Sequence, residues 1–113
     1  LSIAQGGELA AASTDFTSKA IIQSINLTGR TTAFSNDLIS AYDLIGMHLG
    51  VLATGNGGTL EGMSATKYGS ITATLTPGGR MRAGPAQLKS ATTLTAYETK
   101  AKLTLGDFQI NFI

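Results

Sequence analysis

The stretch Asn36–Ala53, NDLISAYDLIGMHLGVLA, constrains the fold of this chain more than any other. Leu38, Tyr42, Ile45, Leu49 and Leu52 recur at offsets of three and four, the spacing of one face of an α-helix. Ser35 or Asn36 can accept a hydrogen bond from the first free amides, and Asp37 lies where the helix dipole favours an anion. Leu44, Met47 and Val51 make a second apolar face, with Gly46 and Gly50 beside it in G-x-x-x-G spacing. A helix apolar on two faces is covered on two sides. The sequence therefore predicts a helix over 36–53, with one face in the domain core. Gly46, Met47, Gly50 and Val51 are the candidate contacts with a partner chain.

The flanking sequence reads as strands and turns. Residues 1–14 predict a short strand at Leu1–Ala4 and then a small-residue connector, an N-terminal arm of the kind that frays or crosses to a neighbouring subunit. Phe16–Thr28 is compatible with either period; the reading adopted is a strand over 19–28, a turn at Gly29–Arg30 and a short return strand to Phe34. Tyr68–Thr76 alternates, with Tyr68, Ser70, Thr72, Thr74 and Thr76 on one side and Gly69, Ile71, Ala73 and Leu75 on the other. Residues 77–85 form an irregular loop bracketed by prolines, 90–105 one long strand or two, and Phe108–Phe112 a closing strand. No repeat of 20–50 residues is visible, which argues against a solenoid or propeller. The expected fold is one domain over 1–113, mainly β in the α+β sense. It is a small antiparallel sandwich or barrel-like sheet with the 36–53 helix packed across it.

Chemistry is sparse. His48 is the single histidine, cysteine is absent, and the acidic residues are scattered, so no zinc set, thiol nucleophile or carboxylate pair stands out. Gly55-Asn-Gly-Gly58 has the look of a phosphate loop but lacks the third glycine of the dinucleotide fingerprint, and it reads as a turn. No catalytic residue, metal or cofactor is expected. No run is long and apolar enough to span a bilayer. The best functional candidate is the 77–85 loop, whose Arg80 and Arg82 can pair with carboxylates of a neighbouring subunit.

Charged residues make up 13% of the chain, about half the globular norm of roughly 25%, and the net charge is +1. A charge-poor exterior suits burial against other chains and offers little to nucleic acid, except as a packaged genome. The expectation is a non-enzymatic structural subunit of a self-assembling particle, a phage or virus capsid, decoration or tail protein, located in the virion or outside the cell. Its partners are copies of itself and other structural subunits. The alternatives are a secreted filament or pilin-like subunit, and a small-ligand-binding β domain using Tyr42, Tyr68 or Tyr97.

Overall fold

A computed structural model describes residues 2–3, 12, 14, 16, 19–27, 32–34, 38–55, 57–58, 61–76 and 79–113. Strands dominate them, and there is one helix. In chain order they are β1 (Ser2–Ile3), β2 (Ile21–Asn26), β3 (Thr32–Phe34), β4 (Leu38–Ser40), β5 (Asp43–Ala53), β6 (Glu61–Ala65), β7 (Lys67–Thr76), β8 (Gly79–Ala83), α1 (Ala91–Ala101) and β9 (Phe108–Phe112). Two open sheets result. One runs β1-β4-β6-β9; the other runs β2-β5-β7-β8, with β3 also paired to β5.

The pairing is parallel throughout except between β7 and β8. Consecutive strands β4 and β5, then β6 and β7, pass from one sheet to the other across very short corners, so each pair makes one coil. The second coil stacks on the first at a spacing of 24 residues. The Thr66 hydroxyl donates to the Tyr42 carbonyl at 2.7 Å, Thr66 N–H donates to the same oxygen at 2.9 Å, and Ala41 N–H donates to Ser64 O at 3.2 Å. β2 extends the stack below, Ile21 lying opposite Asp43 just as Asp43 lies opposite Lys67. β9 closes it above, Phe108 to Phe112 pairing with Glu61 to Ala65.

Both sheets feed one apolar core. Ile39, Met63 and Phe108 come from the first sheet, and Leu44, Met47, Ile71 and Met81 from the second. The Tyr68 and Phe112 rings meet edge-on at 5.1 Å, and the Tyr68 hydroxyl donates to the Asn111 carbonyl at 2.7 Å. Burial pushes the Tyr68 phenol far above its usual range, against a smaller opposing effect from a backbone hydrogen bond at Ala65. It is therefore a neutral donor that ties the two sheets together.

Several sequence expectations are corrected here. Residues 38–53 form β4 and β5, not a helix. The apolar spacing that imitates a helix comes from strand irregularities. At Gly50 (φ 64°) β5 bulges: Leu49 and Gly50 together stand against the single Ala73 between the His48–Thr72 and Val51–Thr74 pairs. Only a glycine takes that left-handed backbone at no steric cost. The G-x-x-x-G spacing is thus a bulge glycine and a strand glycine, and replacing Gly50 would strain the strand whether or not a partner exists. Among the described residues the antiparallel arrangement is found only at β7–β8, and the sheets are not closed. The absence of a visible repeat does not exclude stacked coils, because equivalent positions share apolarity more than identity. β3 pairs with β5 in parallel instead of returning against β2. The 77–85 segment contains β8. The caps expected at Ser35, Asn36 and Asp37, the turn at Gly29–Arg30, the connector at 4–11 and Pro77 lie outside the described residues.

The helix sits at Ala91–Ala101, where strands were expected. Its start is a reciprocal cap: Thr93 N–H donates to Ser90 Oγ at 3.3 Å and Ser90 N–H to Thr93 Oγ1 at 3.0 Å. Lys102 in left-handed conformation ends it, and Leu103 N–H donates to Glu98 O at 2.8 Å. Among the described residues no helix is long and apolar enough to cross a membrane.

Glu98 lies in the last turn of α1, and desolvation raises its carboxyl above the ordinary value. A carboxylate there also faces the negative end of the helix dipole. For an acid whose folded pKa is raised, ionisation weakens the fold. Stability contributed by this group is fully present below the unfolded value and is lost as pH rises through the folded one. Glu98→Gln should therefore raise the unfolding free energy near neutral pH by about 0.5 kcal/mol after solvent screening, read as a higher urea midpoint. The gain should vanish on acidification below the carboxylate range. A gain equal at both pH values would assign the effect to something other than charge.

Candidate functional site

The outward face of the second sheet carries the polar side chains that the sequence leaves uncharged. Because the strands stack in register, these side chains line up in rows across the sheet. Asn26 lies opposite His48, His48 opposite Thr72, and Thr72 opposite Arg82. Three strand spacings of about 4.8 Å make this row about 14 Å long. In the neighbouring row Val51 lies opposite Thr74 and Thr74 opposite Arg80. Strand alternation puts Met81 inward, fully buried, between the exposed Arg80 and Arg82.

These rows border an open groove of about 610 Å³, lined by His48, Gly50, Thr72, Thr74, Arg80 and Arg82, with Leu27 giving an apolar contact. His48 Nδ1 and Thr72 Oγ1 are hydrogen-bonded at 2.8 Å, which fixes the exposed ring. Its other nitrogen has no hydrogen bond to a described residue. Arg82 is fixed through its backbone, whose N–H donates to the Tyr97 hydroxyl at 2.8 Å. Neither guanidinium has a carboxylate partner among the described residues, and no described carboxylate lines the groove. Two permanent cations, an imidazole and two threonine hydroxyls thus face solvent together. Chemically the set can bind oxyanions and hydroxyl groups. Among the described residues no cluster of His, Cys, Asp or Glu could hold a metal ion.

Of the sequence candidates, Arg80 and Arg82 fall in this groove and Gly50 borders it. Gly46 pairs with Ser24 and Ser70 one row away, and Val51 is half-buried in the next row. Met47 is fully buried in the chain's own core and is removed from any partner surface. His48, the single histidine, is exposed on β5. The three tyrosines do not share a pocket. Tyr68 is buried, and Tyr97 braces Arg82. Tyr42 packs edge-on to Phe16 at 6.1 Å, with Lys19 Nζ 5.6 Å from its ring centre. Thr72 and Thr74 were assigned to one uncharged face, correctly, but Tyr68 does not share it. A three-residue step from Tyr68 to Ile71 moves the inward phase.

No family model matches the chain, and neither the curated proteins nor the solved structures provide a match to it.

Proposed function

We propose that the chain is a non-enzymatic structural subunit that associates with copies of itself, as a component of a phage or virus particle or of another extracellular assembly. The supporting observation is the coil stack. Each coil covers its faces and ladder groups only with its neighbours, an arrangement that accepts further strands at an edge. On β2 the large apolar side chain Ile21 is 50% exposed at that edge. A charge content of 13% supports the same reading. The two sheets then serve as the layers of a sandwich of parallel coils. Pairing of that edge with the same edge of a second copy gives a symmetric pair, whereas pairing with a different edge gives rings or filaments.

The test is association. The unmodified chain should grow in mass with concentration by sedimentation velocity, and Ile21→Lys should remain monomeric. Ile21 is half exposed, so this substitution should leave folding within about 0.5 kcal/mol of the parent. A parent that stays monomeric at high concentration, or an Ile21→Lys chain that associates equally well, rejects the reading.

A further inference from the structure

We infer that the groove on the outer face of the second sheet binds an acidic oligosaccharide, one carrying carboxylate or sulfate groups along its length. Three observations converge on this class. First, Arg80 and Arg82 alternate on β8 with Met81 buried between them, which sets the two guanidinium groups on one face. Their Cα atoms are about 6.6 Å apart, two residues along a strand. A guanidinium offers a planar fork that matches two oxygens of a carboxylate or sulfate, and neither fork is occupied by a described carboxylate.

Second, the lining beside the arginines carries hydroxyl groups and an imidazole. Thr72 and Thr74 lie directly opposite Arg82 and Arg80, and His48 continues the Thr72 row with one ring nitrogen held and the other available. The threonine hydroxyls both donate and accept, as sugar hydroxyls do. The row geometry gives a track of cations flanked by such groups.

Third, the lining decides against other polyanions. Among the described residues no aromatic side chain lines the groove, so single-stranded nucleic acid would find no platform there for its bases. Leu27 is the one large apolar residue among its described lining, too little to hold an acyl chain. The inference does not depend on self-association, since the groove lies on a face of the sheet and Ile21 at its edge.

The experiment is calorimetric or anisotropy titration of the full chain with four probes of similar length. They are a sulfated oligosaccharide from heparin, a polygalacturonate oligosaccharide bearing carboxylates alone, a neutral maltooligosaccharide and an oligothymidylate. Binding of either acidic saccharide, with the neutral one silent, is expected, and the two acidic probes show which oxyanion is preferred. Arg80→Gln with Arg82→Gln should weaken binding at least about tenfold. Thr72→Val with Thr74→Val, which keeps every charge, should weaken it about threefold or more. Lys89→Gln with Lys100→Gln should leave it unchanged. Circular dichroism of each variant confirms the fold. Equal loss with the lysine pair would reduce the effect to net charge and overturn the site. Oligothymidylate binding as tight as the acidic saccharides would overturn the ligand class, as would failure of both acidic saccharides to bind. If the arginine pair abolished self-association instead of saccharide binding, the groove would be a subunit contact and the inference would fall.

Discussion

Gly62→Ala should destabilise the chain by about 3 kcal/mol or more, the largest effect of any single methyl group added here. Gly62 sits mid-strand in β6, between Leu38 on one side and Gln109 on the other. Its φ is 144°, a backbone that L side chains rarely adopt. A Cβ there would run into the Gln109 backbone, which cannot swing away as a flexible side chain could. All five residues of β6 are buried, so the strand has no open side to retreat toward. The measurement is a urea midpoint against Gly55→Ala as control, since a Cβ at Gly55 meets nothing within 4 Å. The control should stay within about 0.5 kcal/mol of the parent. Equal midpoints for the two variants would mean that β6 and β9 do not approach as closely as described.

Met47→Ala should cost about 2–5 kcal/mol, by lost burial and the cavity left behind. Met47 is fully buried, opposite Ile25 on one neighbour strand and Ile71 on the other. The loss should be the same at every protein concentration, because the contacts broken lie within one chain. Here the two readings of 36–53 part. On a helix, Met47 would face a partner, and its truncation would spare folding while weakening association. Stability that changes only with concentration would restore that view.

Why the sequence reads as helical is visible in the buried residues themselves. From Ile39 they run to Ala41, Leu44, Met47, Leu49 and Leu52. A regular strand steps by two, yet three of these steps are three. One spans the corner between β4 and β5, one lies inside β5 before His48, and one is the Gly50 bulge. The middle step recurs as Ile22 to Ile25 and Tyr68 to Ile71, so it belongs to the coil and not to one strand. Steps of three are also what a helix gives. Periodicity cannot separate a bent, bulged strand from a helix over so few turns.

The coil repeat was hidden differently. Ser40-Ala41 returns as Ser64-Ala65, the longest run of identity between the stacked coils. Elsewhere Ile39 faces Met63, Leu44 faces Tyr68 and Met47 faces Ile71, keeping apolarity without keeping the residue. The helix at 91–101 was obscured by its threonines and by burying only Leu94, which leaves little amphipathic signal. The cap at Ser90 was the legible sign, with Thr93 standing where a glutamate is usual. The strands at 67–76 and 108–112 were legible because their alternation is largely regular. For the groove, the signal was the single-residue gap between Arg80 and Arg82. Two cations two apart share a face on a strand but not on a helix or in an irregular loop.

The reversal of direction at β8 has a consequence for how long such a molecule can become. A layer arriving on that side meets a strand running the wrong way, whose N–H at Arg82 is already spent on Tyr97. The ladder is punctuated there. Within the second sheet, β2 is the described edge that a further layer in the parallel sense of the coils would extend.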